Sequence, residues 1–154
     1  MNEIKGELPP DYAMRLALEK AQSGPADQCV IAADTIVHRD GVLYDKPKDR
    51  TEAFAHLSTL QGGWHQVTTA VCVRFKNAQK WFPVHTAVCF RPLTPNDIHT
   101  YLATGDADDK AGAYGIQGPG SALIAEINGS WTNVMGLPLP ETLEAIREVR
   151  AEHS

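Results

Sequence analysis

The fold class is decided by residues 29–44, which read Cys29-Val30-Ile31-Ala32-Ala33-Asp34-Thr35-Ile36-Val37-His38-Arg39-Asp40-Gly41-Val42-Leu43-Tyr44. The apolar run 29–33 is typical of a buried strand. Segments 35–38 and 42–44 flank an Asp-Gly pair, which favours a tight hairpin turn because these residues accept positive φ. This stretch therefore predicts a buried strand that leads into a hairpin.

Alternating helices and strands are predicted outward from this stretch. Helical spacing, proline entry positions and capping residues predict helices over 10–22, from Asp49 to Leu60, over 95–103 and over 138–150. Strands are predicted over 66–75 and 80–91, as an antiparallel pair, and over 121–127. The chain is thus expected to form one α/β domain over residues 1–154, with helices flanking a mixed, strongly bent sheet.

The composition limits the possible functions. A hydrophobic fraction of 43% with 21% charged residues is typical of a globular protein. The net charge of −5 argues against a non-specific nucleic-acid or anionic-membrane binder, but a local group of lysines can still attract a small phosphorylated substrate. The cysteines lack C-x-x-C spacing, and the chain shows neither a membrane-length apolar run nor the apolar stretch of a signal peptide. A cytoplasmic location is therefore expected.

Charged side chains beside apolar segments suggest where the chemistry lies. Asp34 follows a buried strand, where a carboxylate is costly unless it is paired, binds a metal or caps a turn. Lys46 precedes Pro47, which fixes the backbone beside a charge that either holds a phosphate or is a solvated surface lysine. Lys20 lies late in the first predicted helix, where it either binds an anion or complements the helix dipole.

A glycine-rich stretch over 109–118 is the fourth candidate region. Its small residues allow close approach of a ligand to the backbone, and the amide of Gln117 can both donate and accept hydrogen bonds. The alternative is a simple bend between strands. Zinc-type histidine spacing, a G-x-S-x-G elbow and Walker or G-x-G-x-x-G loops do not occur in the sequence.

Taken together, these segments resemble the Maf family of nucleoside triphosphate pyrophosphatases. The matching motifs, in chain order, are Ala17-x-x-Lys20-Ala21, Ala33-Asp34-Thr35, Lys46-Pro47, His65-x-Val67-x-Thr69, Lys110-Ala111-Gly112-Ala113-Tyr114-x-Ile116-Gln117-Gly118 and Asn133-Val134-x-Gly136-Leu137-Pro138. The resemblance runs from about Glu3 to the last predicted helix. The combination of Thr35 after the aspartate with the later K-A-G-A-Y-G-I-Q-G motif resembles the branch of the family that acts on dTTP and UTP.

The resemblance implies hydrolysis of a nucleoside triphosphate to the monophosphate and pyrophosphate with a divalent cation, Mg²⁺ or Mn²⁺. It implies roles for seven residues: Asp34 as proton acceptor, Lys20, Thr35, Lys46, Lys110 and Gln117 as substrate-binding residues, and Asp34 with Glu3 as metal ligands. A homodimer is also an expectation from the family.

The resemblance has one departure at the N-terminus. Family members begin with a strand and an S-x-S-P-R-R loop that contacts phosphate, and this motif does not occur in the sequence. The chain is therefore expected to be an N-terminally shortened member with impaired turnover. Two alternatives to an active pyrophosphatase are a non-catalytic relative that binds nucleotide or a partner, and an inosine-triphosphatase-like enzyme.

Overall fold

A computed structural model describes residues 6–152 of the chain. Its helices are α1 (Pro9–Gln22), α2 (Arg50–Leu60), α3 (Pro95–Leu102), α4 (Trp131–Val134) and α5 (Leu139–Ala151). Its strands are β1 (Val30–Arg39), β2 (Val42–Tyr44), β3 (Trp64–Phe75), β4 (Ala78–Phe90) and β5 (Ile124–Asn128). They form one sheet in the order β2-β1-β3-β4-β5 with helices packed against both faces. The predicted α/β class is confirmed.

Every strand pairing within residues 6–152 is antiparallel, so this part of the chain lacks the parallel pair that a mixed sheet requires. Short turns explain two of the four pairings, β1 with β2 and β3 with β4, because a two-residue turn joins strands only in antiparallel orientation. Asp40 and Gly41 have φ of 52° and 79° between β1 and β2, and the predicted Asp-Gly turn is confirmed. A second short turn at Lys76 joins β3 to β4, the predicted antiparallel pair.

Strand β1 runs without interruption through Asp34, although the sequence suggested that a strand ends there. Its pairing with β3 extends from Val30 opposite Arg74 to His38 opposite Gln66, and this long ladder keeps the backbone extended. Strand β2 pairs with β1 only from Val37 onward. Among the described residues, the outer edge of β1 beside Asp34 therefore has no strand partner.

Side-chain alternation along the strands separates two layers of core. Ala32 and Ile36 of β1 pack beneath α1, on one face of the sheet. Val37 belongs to the cluster under α2 and α3 on the other face, whereas Ala33 packs with the cluster under α5. Thr35 lies between these last two clusters along the strand, so a polar position interrupts the apolar face.

The glycine-rich segment departs most from the prediction. Residues 118–123 form a 3₁₀ turn, and β5 begins only at Ile124, so the strand expected over 121–127 is shorter. The turn is enforced by close packing, because a Cβ on Gly120 would lie 1.8 Å from the carbonyl oxygen of Gly115.

The predicted caps are confirmed, since Asp49 caps α2 and Thr94 forms a capping box on α3. No helix in residues 6–152 has both the length and the apolarity needed to cross a membrane.

Candidate active site

A cavity of about 550 Å³ opens on the sheet face that carries Thr35. Strands β1 and β3, the glycine-rich segment and the loop around Gly136 form its walls. Thr35, Lys46, Lys110 and Gln117, which sequence reasoning singled out, all line it. An adjoining recess of about 230 Å³ contains Asp34 and shares Thr35 and Lys46 with the larger cavity. The fold therefore gathers residues from distant motifs into one cleft.

Asp34 is paired with Lys20 in this structure. The Lys20 Nζ donates to Asp34 Oδ1 at 3.0 Å. The lysine side chain is 47% exposed and the aspartate side chain 17%, so the ammonium reaches in from solvent over a more enclosed carboxylate. The register of α1 on β1 brings them together, because Lys20 stands in the last turn of that helix. The pair places one negative and one positive charge at the mouth of the recess.

Lys46 is exposed and borders both the cavity and the recess. It lies two residues after the end of β2, and the buried Pro47 anchors the backbone beside it. No ion pair involves Lys46 within residues 6–152. Its ammonium group is thus free to meet an incoming anion.

Lys110 is held by neighbouring aspartates. Its Nζ donates to the Asp106 carbonyl at 2.9 Å, to Asp106 Oδ1 at 3.2 Å and to Asp109 Oδ1 at 3.3 Å. Tyr101 donates to the other Asp106 oxygen at 2.7 Å. Burial alone would lower the pKa of Lys110, but its bonds to the aspartates outweigh burial, and the pKa is raised. Since all three ammonium hydrogens are engaged, a phosphate must displace an aspartate to bind here.

Gln117 is exposed at the start of the 3₁₀ turn, and Tyr114 forms an apolar wall nearby. The Tyr114 hydroxyl is hydrogen-bonded to Nε2 of the buried His65. Burial raises the pKa of Tyr114. Burial, aided by the charge of Arg39, lowers the pKa of His65 to about 4. This wall is therefore uncharged at neutral pH.

Sequence reasoning quoted Thr69 and Asn133 within motifs but gave them no role. The structure places both beneath the cavity wall. Asn133 is fully buried, and its Nδ2 lies within hydrogen-bond distance of the Val67 carbonyl at 3.2 Å and the Val84 carbonyl at 2.9 Å. Thr69 contacts both Thr35 and the Asn133 carbonyl. For Thr69, the signal available in the sequence was a polar residue inside the apolar strand β3, whereas Asn133 lies in the short helix α4 and carried no such signal.

The expected metal ligands are only partly within the described residues, since Glu3 lies outside them. Residues 6–152 contain no group of three or more His, Cys, Asp or Glu side chains that could hold a metal ion. Mg²⁺, however, commonly uses one or two carboxylates together with substrate phosphates and water. Asp34, exposed to the recess, is compatible with such a one-carboxylate site.

Comparison with known proteins places the chain in a family. The family model described as Maf-like protein matches residues 1–149. A dTTP/UTP pyrophosphatase of Pectobacterium atrosepticum is 46% identical over 152 residues, covering 92% of this chain and 77% of the relative. Enzymes of the same name from Methylobacillus flagellatus and Anaeromyxobacter dehalogenans are each 46% identical, covering 92% and 94% of this chain and 73% and 76% of their own lengths. The chain therefore belongs to the Maf-like protein family.

Proposed function

We propose that this chain hydrolyses dTTP and UTP to the corresponding monophosphates and pyrophosphate. The observation that carries the proposal is a cavity lined by Lys46 and Gln117 that adjoins a recess lined by Lys46 and Asp34, with Lys20 paired to Asp34. The names of the relatives, which share about half of their aligned residues with this chain, support the same substrates.

The cleft suggests how a nucleotide lies. Its larger part falls within the roughly 300–1,000 Å³ usual for small-molecule sites, and its floor includes the apolar side chains of Val37, Val67 and Tyr114. A flat base suits that floor. The triphosphate then points towards Lys46 and Lys20, whose charges offset part of its negative charge. This orientation brings the α-phosphate to the recess that holds Asp34.

Asp34 acts as the proton acceptor in this scheme. Water attacks the α-phosphorus, Asp34 takes its proton, and the bond from the α-phosphorus to the bridging oxygen breaks so that pyrophosphate leaves. Lys20 pairs with Asp34 in the absence of nucleotide, and the arriving phosphates compete for its ammonium group. Asp34 would be the carboxylate that holds a Mg²⁺ or Mn²⁺ together with the substrate phosphates, and such an ion would neutralise further phosphate charge.

Gln117 reads the base. Its amide N–H groups can donate to a ring carbonyl of thymine or uracil. Thr35 lines the same cavity, and its hydroxyl contacts the Gly136 carbonyl oxygen. An inosine triphosphate carries a larger bicyclic base, so comparing dTTP with inosine triphosphate separates this proposal from a general purine-directed enzyme.

Asp34→Asn tests the role of Asp34 as the proton acceptor. The variant keeps the size of the side chain and removes its basicity, and we expect pyrophosphate release from dTTP with Mg²⁺ to fall by about 10²–10⁴-fold. Asp40→Asn is the matched control, because Asp40 lies in the exposed hairpin turn with φ of 52°, which asparagine accepts. Circular dichroism checks the fold of both variants. Retention of more than about a tenth of the rate in Asp34→Asn contradicts the role.

We also infer that the protein works as a homodimer in the cytoplasm, where its nucleotide substrates are found. Exposed apolar side chains at Trp131, Met135, Leu139 and Leu143 are suited to a contact between copies. Light scattering coupled to size-exclusion chromatography tests this, and a monomer mass at micromolar concentration contradicts it.

A further inference from the structure

The hydroxyl of Thr35, which lines the cavity, is hydrogen-bonded to the hydroxyl of Thr69. Thr35 and Thr69 face each other across β1 and β3, with their Oγ1 atoms 2.8 Å apart. Thr35 Oγ1 also lies 3.2 Å from the Gly136 carbonyl oxygen, and Thr69 Oγ1 lies 3.2 Å from the Asn133 carbonyl oxygen. Each hydroxyl has a single hydrogen. Two hydrogens cannot serve three contacts at once.

The order of donation follows from which contacts need a hydrogen most. The 2.8 Å contact between the hydroxyls is the shortest, so it contains one hydrogen. The Asn133 carbonyl already accepts the Gly136 N–H at 3.0 Å. Among residues 6–152, the Gly136 carbonyl finds its hydrogen-bond donor in Thr35. The arrangement that satisfies all of these groups has Thr69 donating to Thr35 and Thr35 donating to Gly136.

This order leaves Thr35 with one lone pair and no hydrogen for a ligand in the cavity. Thymine and uracil carry a single ring N–H on their pairing edge, at N3, between two carbonyl groups. Cytosine has an unprotonated N3 at the same position, which accepts rather than donates. An acceptor-only Thr35 therefore matches the N3–H of thymine and uracil and opposes N3 of cytosine.

We infer that Thr69 is a positioning residue that orients the Thr35 hydroxyl and thereby selects thymine and uracil over cytosine. The inference rests on the proposed function. Thr69 itself is 0% exposed, so it acts on the nucleotide through Thr35 and not by direct contact. Donation from Thr69 polarises the Thr35 hydroxyl and strengthens its own donation to the Gly136 carbonyl. Without the Thr69 hydroxyl, only the longer 3.2 Å contact to Gly136 fixes the Thr35 hydroxyl, and its hydrogen can turn from that carbonyl to N3 of cytosine.

The test compares Thr69→Ala with Thr69→Ser, two variants that differ by one oxygen atom and share the loss of the methyl group. Calorimetric titration measures binding of the non-hydrolysable α,β-methylene analogues of UTP and CTP, so the readout does not depend on turnover. We expect the UTP-over-CTP preference of the wild type to be kept in Thr69→Ser and to fall about tenfold in Thr69→Ala, the weight of one hydrogen bond.

Thr68→Ala is the matched control. Thr68 is also 0% exposed on β3, but its hydroxyl bonds to His38 and His85 on the opposite face. We expect this variant to lose stability and keep the wild-type preference. An equal preference in Thr69→Ala and Thr69→Ser, or a change in Thr68→Ala as large as in Thr69→Ala, overturns the inference. Equal binding of the two analogues by the wild type also overturns the inference, although nucleotide binding is then intact. If the wild type binds neither analogue, the proposed function is overturned together with this inference.

Discussion

Lowering the pH should destabilise this protein through His65. The side chain is 2% exposed, lies edge-on to the rings of Phe90 and Tyr114, and has an Nδ1 atom without a hydrogen-bond partner in the described residues. Burial is the main cause of its lowered pKa, and the nearby charge of Arg39 adds to it. Protonation inside this apolar setting is therefore unfavourable.

The magnitude follows from the two pKa values. His65 has a pKa of about 4 in the folded protein against the ordinary 6.5. Between these values the unfolded chain binds more protons than the folded one, so the free energy of unfolding falls as the pH falls from 6.5 towards 4. At about 1.36 kcal/mol for each pKa unit, the full loss is about 3 kcal/mol. Above pH 6.5 this contribution to stability is fully present.

Urea unfolding followed by tryptophan fluorescence measures this effect at several pH values between about 7 and about 4.5. His38 also has a pKa lowered mainly by burial, and it contributes in the same direction. The informative quantity is therefore the difference between the wild type and His65→Gln, whose amide can still bond to Tyr114 but does not titrate. We expect the wild type to lose most of the extra 3 kcal/mol, about 2–3 kcal/mol, over this range. Parallel stability curves for the two proteins refute the reasoning.

Three further predictions concern the walls of the cleft. Gly120→Ala should lower the free energy of unfolding by more than about 3 kcal/mol in urea, because the new Cβ would lie 1.8 Å from the Gly115 oxygen. Gly63→Ala should be tolerated, because its Cβ would meet its nearest atom at 3.8 Å. Similar losses of stability in the two variants would be inconsistent with the packing. Asn133→Ala should lower the unfolding free energy by about 2–3 kcal/mol, because it leaves buried carbonyls without a donor, and an unchanged urea midpoint would count against this. Gln117→Ala should keep the thermal midpoint of the wild type, because the side chain is exposed. It should raise KM for dTTP and UTP more than for purine triphosphates. An equal rise in KM for every base would exclude a role of Gln117 in base selection.

Much of the fold was predictable because it depends on neighbours along the chain. The Asp40-Gly41 turn, the Asp49 cap and the Thr94 capping box each involve residues within a few positions of one another. The strand over 121–127 was wrong in its first half, since Gly120 packs against the Gly115 backbone and forces a turn there. The short helix Trp131–Val134 was also missed, because four residues carry too little periodicity to be recognised.

The sequence by itself determined the set of candidate residues, since Asp34, Thr35, Lys46 and Gln117 stand in motifs that are recognisable without coordinates. Only the tertiary structure decided what these residues touch. Thr35 meets the Gly136 carbonyl across 101 positions of chain, and Lys20 meets Asp34 because a helix docks on a strand. A hydrogen bond requires a donor–acceptor distance that is right to within a few tenths of an ångström, here between groups that are far apart in sequence. Local propensity carries no information at that range, and packing of the whole domain sets it.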